Sequence, residues 1–133
     1  MWGRKLAAVA LVAVALPATA QEVIEGRLEA GDQQLSMNEY YDVYTFEGAQ
    51  GQAFRFEVVS GDFLPGGMLI DPAGNQIYQS LGSAIDKVWS LQCRLTASGT
   101  WQLAVFQSFW LEGNYTLTVT PLAAAADVRA CNE

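Results

Sequence analysis

The sequence predicts an all-β fold, an antiparallel two-sheet β-sandwich of jelly-roll type with about eight strands. Three observations carry this reading. Apolar residues recur with a period of two along most of the chain, not with the helical period. Turn-forming residues interrupt these runs at intervals of about eight to twelve residues, the spacing of sandwiches and barrels. Within each run, polar and charged residues occupy the alternate positions, as expected of strands with one buried and one wet face.

The strands are expected near 22–29, 39–47, 52–60, 67–71, 75–80, 85–96, 100–107 and 114–120. In Phe54-Arg55-Phe56-Glu57-Val58 apolar and charged residues alternate without exception. Trp89, Leu91, Cys93 and Leu95 oppose Ser90, Gln92, Arg94 and Thr96. Trp101, Leu103 and Val105 oppose Gln102 and Ala104, and Tyr115, Leu117 and Val119 oppose Thr116, Thr118 and Thr120. The strand at 39–47 is ambiguous in register, because Tyr40, Tyr41, Val43, Tyr44 and Phe46 put apolar bulk on both faces. Between the runs lie turn signals: Gly31-Asp32, Gly48 to Gly51, Gly61-Asp62, Pro65-Gly66-Gly67, Asp71 to Asn75, Ser98-Gly99 and Gly113-Asn114. In Asp71-Pro72-Ala73-Gly74-Asn75, Pro72 presets φ and Gly74 accepts the positive φ that closes a hairpin.

Residues 1–20 read as a cleaved signal peptide. Arg4 and Lys5 precede an apolar run from Leu6 to Leu16, followed by Ala18-Thr19-Ala20 at the cleavage site. Eleven apolar residues are too few to span a bilayer, which needs about 20. The mature chain is expected to begin at Gln21 and to work in the periplasm or outside the cell. It would comprise a sandwich domain over 21–122 and an Ala-rich tail over 123–133.

The mature chain has 113 residues (133 − 20), enough for one domain. With Arg4 and Lys5 removed, five basic residues face fourteen acidic ones, a net charge of −9. That balance disfavours nucleic acid and anionic membrane surfaces. The absence of histidine excludes Ser-His-Asp and Cys-His nucleophilic chemistry and removes the commonest metal ligand. Cys93 and Cys131 are candidates for one disulfide, closing a loop of 39 residues and constraining the unfolded chain by about 3.5–4 kcal/mol. Cys93 also falls on the apolar face of its strand, where a buried free thiol is common.

Several pieces recur in a recognisable order: Gly26-x-Leu28 with Gly31-Asp32, Asp42-x-Tyr44-x-Phe46, and Gly51-x-x-Phe54-x-Phe56. They continue with Ser60-Gly61-Asp62-Phe63, Asp71-Pro72-x-Gly74-Asn75, Leu95-x-Ala97-x-Gly99-Thr100-Trp101 and Gly113-Asn114-Tyr115-x-Leu117. This order resembles the bacterial pre-peptidase C-terminal domain, over residues 24 to 119. The resemblance implies a non-catalytic sandwich, of the kind thought to assist secretion, solubility or attachment to polymeric substrates. Two departures matter. Leu64 stands where the family often has an acidic residue, and Ser108-Phe109-Trp110-Leu111-Glu112 replaces a segment that is usually polar. The domain also follows its signal peptide directly, whereas family members usually trail a catalytic domain.

Phe109 and Trp110 are the first candidate ligand-binding residues, either a stacking platform exposed before the final strand or a plug over the open end of the core. Tyr40 and Tyr41, flanked by Glu39 and Asp42, are the second, a sugar-binding edge or ordinary strand residues. Calcium wants six to eight oxygens from a ligand-dense loop, and no such loop is present. Asp32, Asp62 and Asp71 are the contributors if an ion pins the loops, but no cofactor is expected. The expected function is that of an exported, monomeric, non-catalytic module binding a polysaccharide, a matrix or a protein partner. The alternative is a structural or partner-binding subunit of an exported protease, with no ligand of its own.

Overall fold

The computed structural model describes residues 21–29, 40–107, 112–123 and 126–132, together with the backbone of 33–34. The strands are β1 (Glu22–Leu28), β2 (Gln33–Gln34), β3 (Tyr40–Gly48), β4 (Ala53–Val59), β5 (Pro65–Ile70), β6 (Gln76–Leu81), β7 (Val88–Arg94), β8 (Gly99–Gln107) and β9 (Gly113–Leu122). A four-stranded sheet has the order β1-β9-β4-β7, and a five-stranded sheet has the order β2-β3-β8-β5-β6. Every pairing between these strands is antiparallel. Apart from the short β2, the chain changes sheet at every connection except the β5–β6 hairpin, which is jelly-roll topology.

The alternation read in the sequence supplies the core. Phe54, Phe56 and Val58 of β4, Trp89, Leu91 and Cys93 of β7, and Tyr115, Leu117 and Val119 of β9 face inward from one sheet. Tyr44 and Phe46 of β3, Leu69 of β5, and Trp101, Leu103 and Val105 of β8 meet them from the other. Phe46, Phe54 and Phe56 pack with ring centroids 5.6–5.9 Å apart. Each fully buried side chain of this size contributes about 1.5–3 kcal/mol relative to exposure. The two indoles keep a polar partner, Trp101 Nε1 donating to Ala97 O at 3.0 Å and Trp89 Nε1 to Ser80 Oγ at 2.9 Å.

Three boundaries differ from the sequence reading. Pro65-Gly66-Gly67 is the start of β5 and not a turn. Its glycines leave room for rings, since a Cβ on Gly67 would lie 2.3 Å from Trp89 and one on Gly66 2.5 Å from Phe106. β7 begins at Val88 instead of residue 85, because Ser83–Lys87 form a tight turn with Lys87 at φ +56°. β2 is a two-residue edge strand, too short to leave a periodic signal.

Cys93 and Cys131 form a disulfide with Cα atoms 4.7 Å apart, and both are fully buried in the main core. The tail is thereby laid along the outer edge of β7. Arg94 N donates to Arg129 O at 2.8 Å, and Cys131 N donates to Arg94 O at 2.9 Å. The Arg94 guanidinium donates to Ala126 O and to Gly51 O, and Arg129 stacks over Tyr78 of β6, 5.1 Å from the ring centroid. The tail thus reaches from one sheet to the other at the open side of the sandwich.

Candidate functional site

Phe109, Trp110 and Asp32 lie outside the described residues. Tyr40 and Tyr41 are adjacent in β3, so the pleat sends them to opposite faces. Tyr40 packs against the main core, whereas Tyr41 joins a separate cluster on the outer face. They do not form one aromatic edge. Asp62 and Asp71 stand beyond opposite ends of β5, about 20 Å apart at the rise of a strand, too far to share an ion. Each carboxylate serves the local backbone. Asp62 Oδ2 accepts from Asn114 N at 2.8 Å, and Asp71 Oδ1 accepts from Ala73 N and Asn75 N at 3.0 and 2.9 Å. The metal-ligating side chains among the described residues form no cluster.

Asp42, flanking the two tyrosines, points inward and is 3% exposed. Tyr115 Oη donates to Asp42 Oδ2 at 2.6 Å and shares a further hydrogen bond with Tyr44 Oη. Burial, reinforced by the neighbouring Tyr44 and Asp42, holds the Tyr115 phenol well above its ordinary pKa of 10.0. This network ties β3 to β9 across the two sheets and is structural.

The outer faces of the two sheets differ in kind. On the four-stranded sheet the outward positions carry Val23, Glu25 and Arg27 of β1, Thr116 and Thr118 of β9, Arg55, Glu57 and Val59 of β4, and Ser90 and Gln92 of β7, so charge is interspersed with two exposed valines. Thr116 donates to Glu25 at 3.0 Å, and Arg27 pairs with Glu29 at 3.3 Å, the polar surface expected of a sandwich.

The five-stranded sheet presents three adjacent outward rows without a charge, followed by the row of Glu47 and Thr100. The three uncharged rows are Tyr41-Phe106-Gly66-Leu81, Val43-Ala104-Met68-Gln79 and Thr45-Gln102-Ile70-Gln76. Val43, Met68, Ile70, Ala104 and Phe106, each only 1–8% exposed, form a second buried hydrophobic cluster with half-buried Tyr41 against it, and its described members all come from this one sheet. Leu81, at the rim, is 51% exposed. A depression of about 380 Å³ is lined by Tyr41, Met68, Ile70, Gln102 and Ala104 among others. Gln102 Oε1 is buried there without a hydrogen-bond donor among the described residues. A second depression, of about 550 Å³, runs along β6 to Phe106. The part of this face open to contact is its β6 rim, Leu81 with Gln76 and Gln79, beside a buried acceptor that lacks a donor among the described residues.

Two signals for this face were present in the sequence. The strand at 39–47 is apolar on both faces, and Leu103 to Phe106 is an unbroken apolar run, as in strands covered on both sides.

Neither a protein-family model nor a curated protein sequence matches the chain. Solved structures do match in fold. The pre-peptidase C-terminal domain of the Bacillus anthracis collagenase aligns with a TM-score of 0.56 and 20% identity, covering 75% of this chain and 89% of that one. PliG of Aeromonas hydrophila, a periplasmic inhibitor of g-type lysozyme, aligns with a TM-score of 0.52 and 16% identity, over 78% and 88% of the two chains. PliG of Salmonella Typhimurium aligns with a TM-score of 0.50 and 17% identity, over 78% and 89%. The sequence resemblance to the pre-peptidase C-terminal domain is thus borne out at the level of fold, and the chain shares its sandwich with a lysozyme inhibitor.

Proposed function

We propose that the protein is an exported, non-catalytic module that binds a protein partner on the outer face of its five-stranded sheet. The observation that carries this reading is the set of three uncharged rows on that face, bounded by Glu47 in the next row, with Gln76, Gln79 and Leu81 exposed along its β6 rim. Gln102 supports it, because a partner's donor would satisfy the buried Oε1. The fold neighbours support it in kind. One is the pre-peptidase C-terminal domain of a collagenase and others are periplasmic inhibitors of g-type lysozyme. The disulfide fits an oxidising compartment, in keeping with export to the periplasm or beyond.

The test is binding of the purified exported protein to a g-type lysozyme, a fibrillar collagen and a soluble polysaccharide. Each is measured against the double variant Leu81→Asp, Gln79→Glu, which puts charge on the exposed rim of the face. The expected result is saturable binding to a protein probe that falls at least about tenfold in the variant. Binding confined to the polysaccharide, and equal in the variant, would overturn the reading.

A further inference from the structure

Four large hydrophobic side chains are more than two-fifths exposed among the described residues: Val23, Val59, Leu81 and Ile85. Two of them, Leu81 at the end of β6 and Ile85 in the turn that follows, lie at one corner of the sandwich, whereas Val59 stands on the outer face of the other sheet beside Val88, where β7 begins. Ile85 is 96% exposed. Single exposed aliphatic residues are ordinary, but the backbone beneath this one is unusually well held.

Ser83 N donates to Val88 O and Lys87 N donates to Ser83 O, both at 2.9 Å. Ile85 N donates to Ser83 Oγ at 3.2 Å and Val88 N to Asp86 Oδ1 at 3.3 Å. The turn is fastened to the body of the domain as well. Gly82 N donates to Pro65 O at 2.8 Å, and Ser60 N donates to Lys87 O at 3.2 Å. Ser60 in turn donates its hydroxyl to Asn114 O at 2.8 Å, fixing the β4–β5 loop to the start of β9. The only non-glycine φ above zero among the described residues, +56°, is at Lys87, next but one to the tip. A strained residue held by this many bonds marks a conformation that the surroundings impose. The isoleucine is therefore presented in one place, with little ordering left to lose on contact.

We propose that Ile85 is the anchor by which the partner is held, entering an apolar pocket of a folded protein whose rim is basic. This rests on the protein-binding reading above and adds to it the point of attachment and the partner's chemistry. The basic rim follows from charge. At this end of the sandwich Glu29, Asp62, Asp86 and Glu112 outnumber Arg27 and Lys87, in a chain of net charge −7. Leu81 belongs both to the uncharged rows and to this corner, so a partner seated on the sheet face reaches the tip without crossing a charge.

The experiment places a photoreactive benzophenone side chain at position 85, 79 or 92 of the full-length protein in the cells that naturally make it. Position 79 reports the outer face of the five-stranded sheet, and position 92 is the exposed control on the other sheet. Adducts are identified by mass spectrometry, and the identified protein is purified and titrated against wild type and Ile85→Asp. The expected result is one protein captured from 85 and 79 but not from 92, with affinity at least about tenfold weaker for Ile85→Asp. The same thermal stability in the variant confirms that the loss lies in the contact. Capture from 79 without capture from 85, or unchanged affinity in Ile85→Asp, would overturn the anchor and leave the binding face standing. Equal capture from 92, or none at any position, would overturn both.

Discussion

Removing the Cys93–Cys131 bridge tests how the tail is held. The double variant Cys93→Ala, Cys131→Ala opens a loop with a sequence separation of 38, which frees about 4 kcal/mol of chain entropy in the unfolded state. Two backbone hydrogen bonds between Arg94 and the tail, at 2.8 and 2.9 Å, then depend on an untethered strand end, and each contributes about 1 kcal/mol net. The loss is thus about 4–6 kcal/mol, a large part of the 5–15 kcal/mol typical of a domain. Equilibrium unfolding in urea is the assay. With a slope of about 2 kcal/mol per molar, the midpoint falls by roughly 2–3 M. The tail should also become open to protease in the absence of denaturant. A midpoint shift below about 0.5 M, with unchanged slope, would refute the reasoning and show that the tail is held by its packing alone.

Gly67→Ala drives a Cβ to 2.3 Å from the Trp89 ring, so it should destabilise by about 1–3 kcal/mol, seen as a lower melting temperature and altered tryptophan emission. Tyr115→Phe removes the donor to Asp42 and should cost about 1–3 kcal/mol at neutral pH. Because the Tyr115 pKa is raised in the fold, its contribution is complete below pH 10 and is lost as pH rises through the folded-state value. Wild-type stability should therefore fall above pH 10, and the fall should be shallower in Tyr115→Phe, as followed by chemical denaturation at stepped pH. At Lys87, with φ +56°, Lys87→Gly should leave the melting temperature unchanged or raise it slightly, whereas Lys87→Val should lower it, since a branched Cβ tolerates that backbone poorly.

The fold was legible because strands with one wet face write their orientation into alternate residues. Phe54 to Val58 and Tyr115 to Val119 needed nothing beyond that pattern. The pattern weakens where both faces are apolar, and there the sequence is ambiguous at Tyr40 to Phe46 and starts β5 two residues late, at 67 instead of 65. Gly66 and Gly67 carry turn chemistry in isolation. Their role as seats for Phe106 and Trp89 depends on residues 40 and 22 positions away, which no local window contains. The same holds for Asp42, which looks like a surface carboxylate beside two tyrosines until β9 brings Tyr115 across the core.

The outer apolar cluster was present only as two unexplained apolar runs, because a face is assembled from strands that are neighbours in space. Val43, Ala104 and Met68 form one row from three separated segments. The disulfide could be proposed from compartment and count, whereas the strap it makes over β7 required the register at Arg94. Ile85 lay inside an expected strand, and the turn that displays it became visible only through the bonds of Ser83 and Lys87.

The central claim, that the outer face of the five-stranded sheet is covered by a partner where the protein works, is tested most directly by thiol labelling. Leu81→Cys places a thiol at a rim position that is 51% exposed in the isolated chain, and Gln92→Cys places one on the exposed outer face of the other sheet. The native cysteines are bonded to each other and do not compete. Maleimide labelling rates are compared in intact cells and for the purified protein. The account predicts at least about fivefold slower labelling at position 81 in cells than in isolation, with equal rates at position 92, as burial in an interface requires. Equal rates at both positions would contradict it.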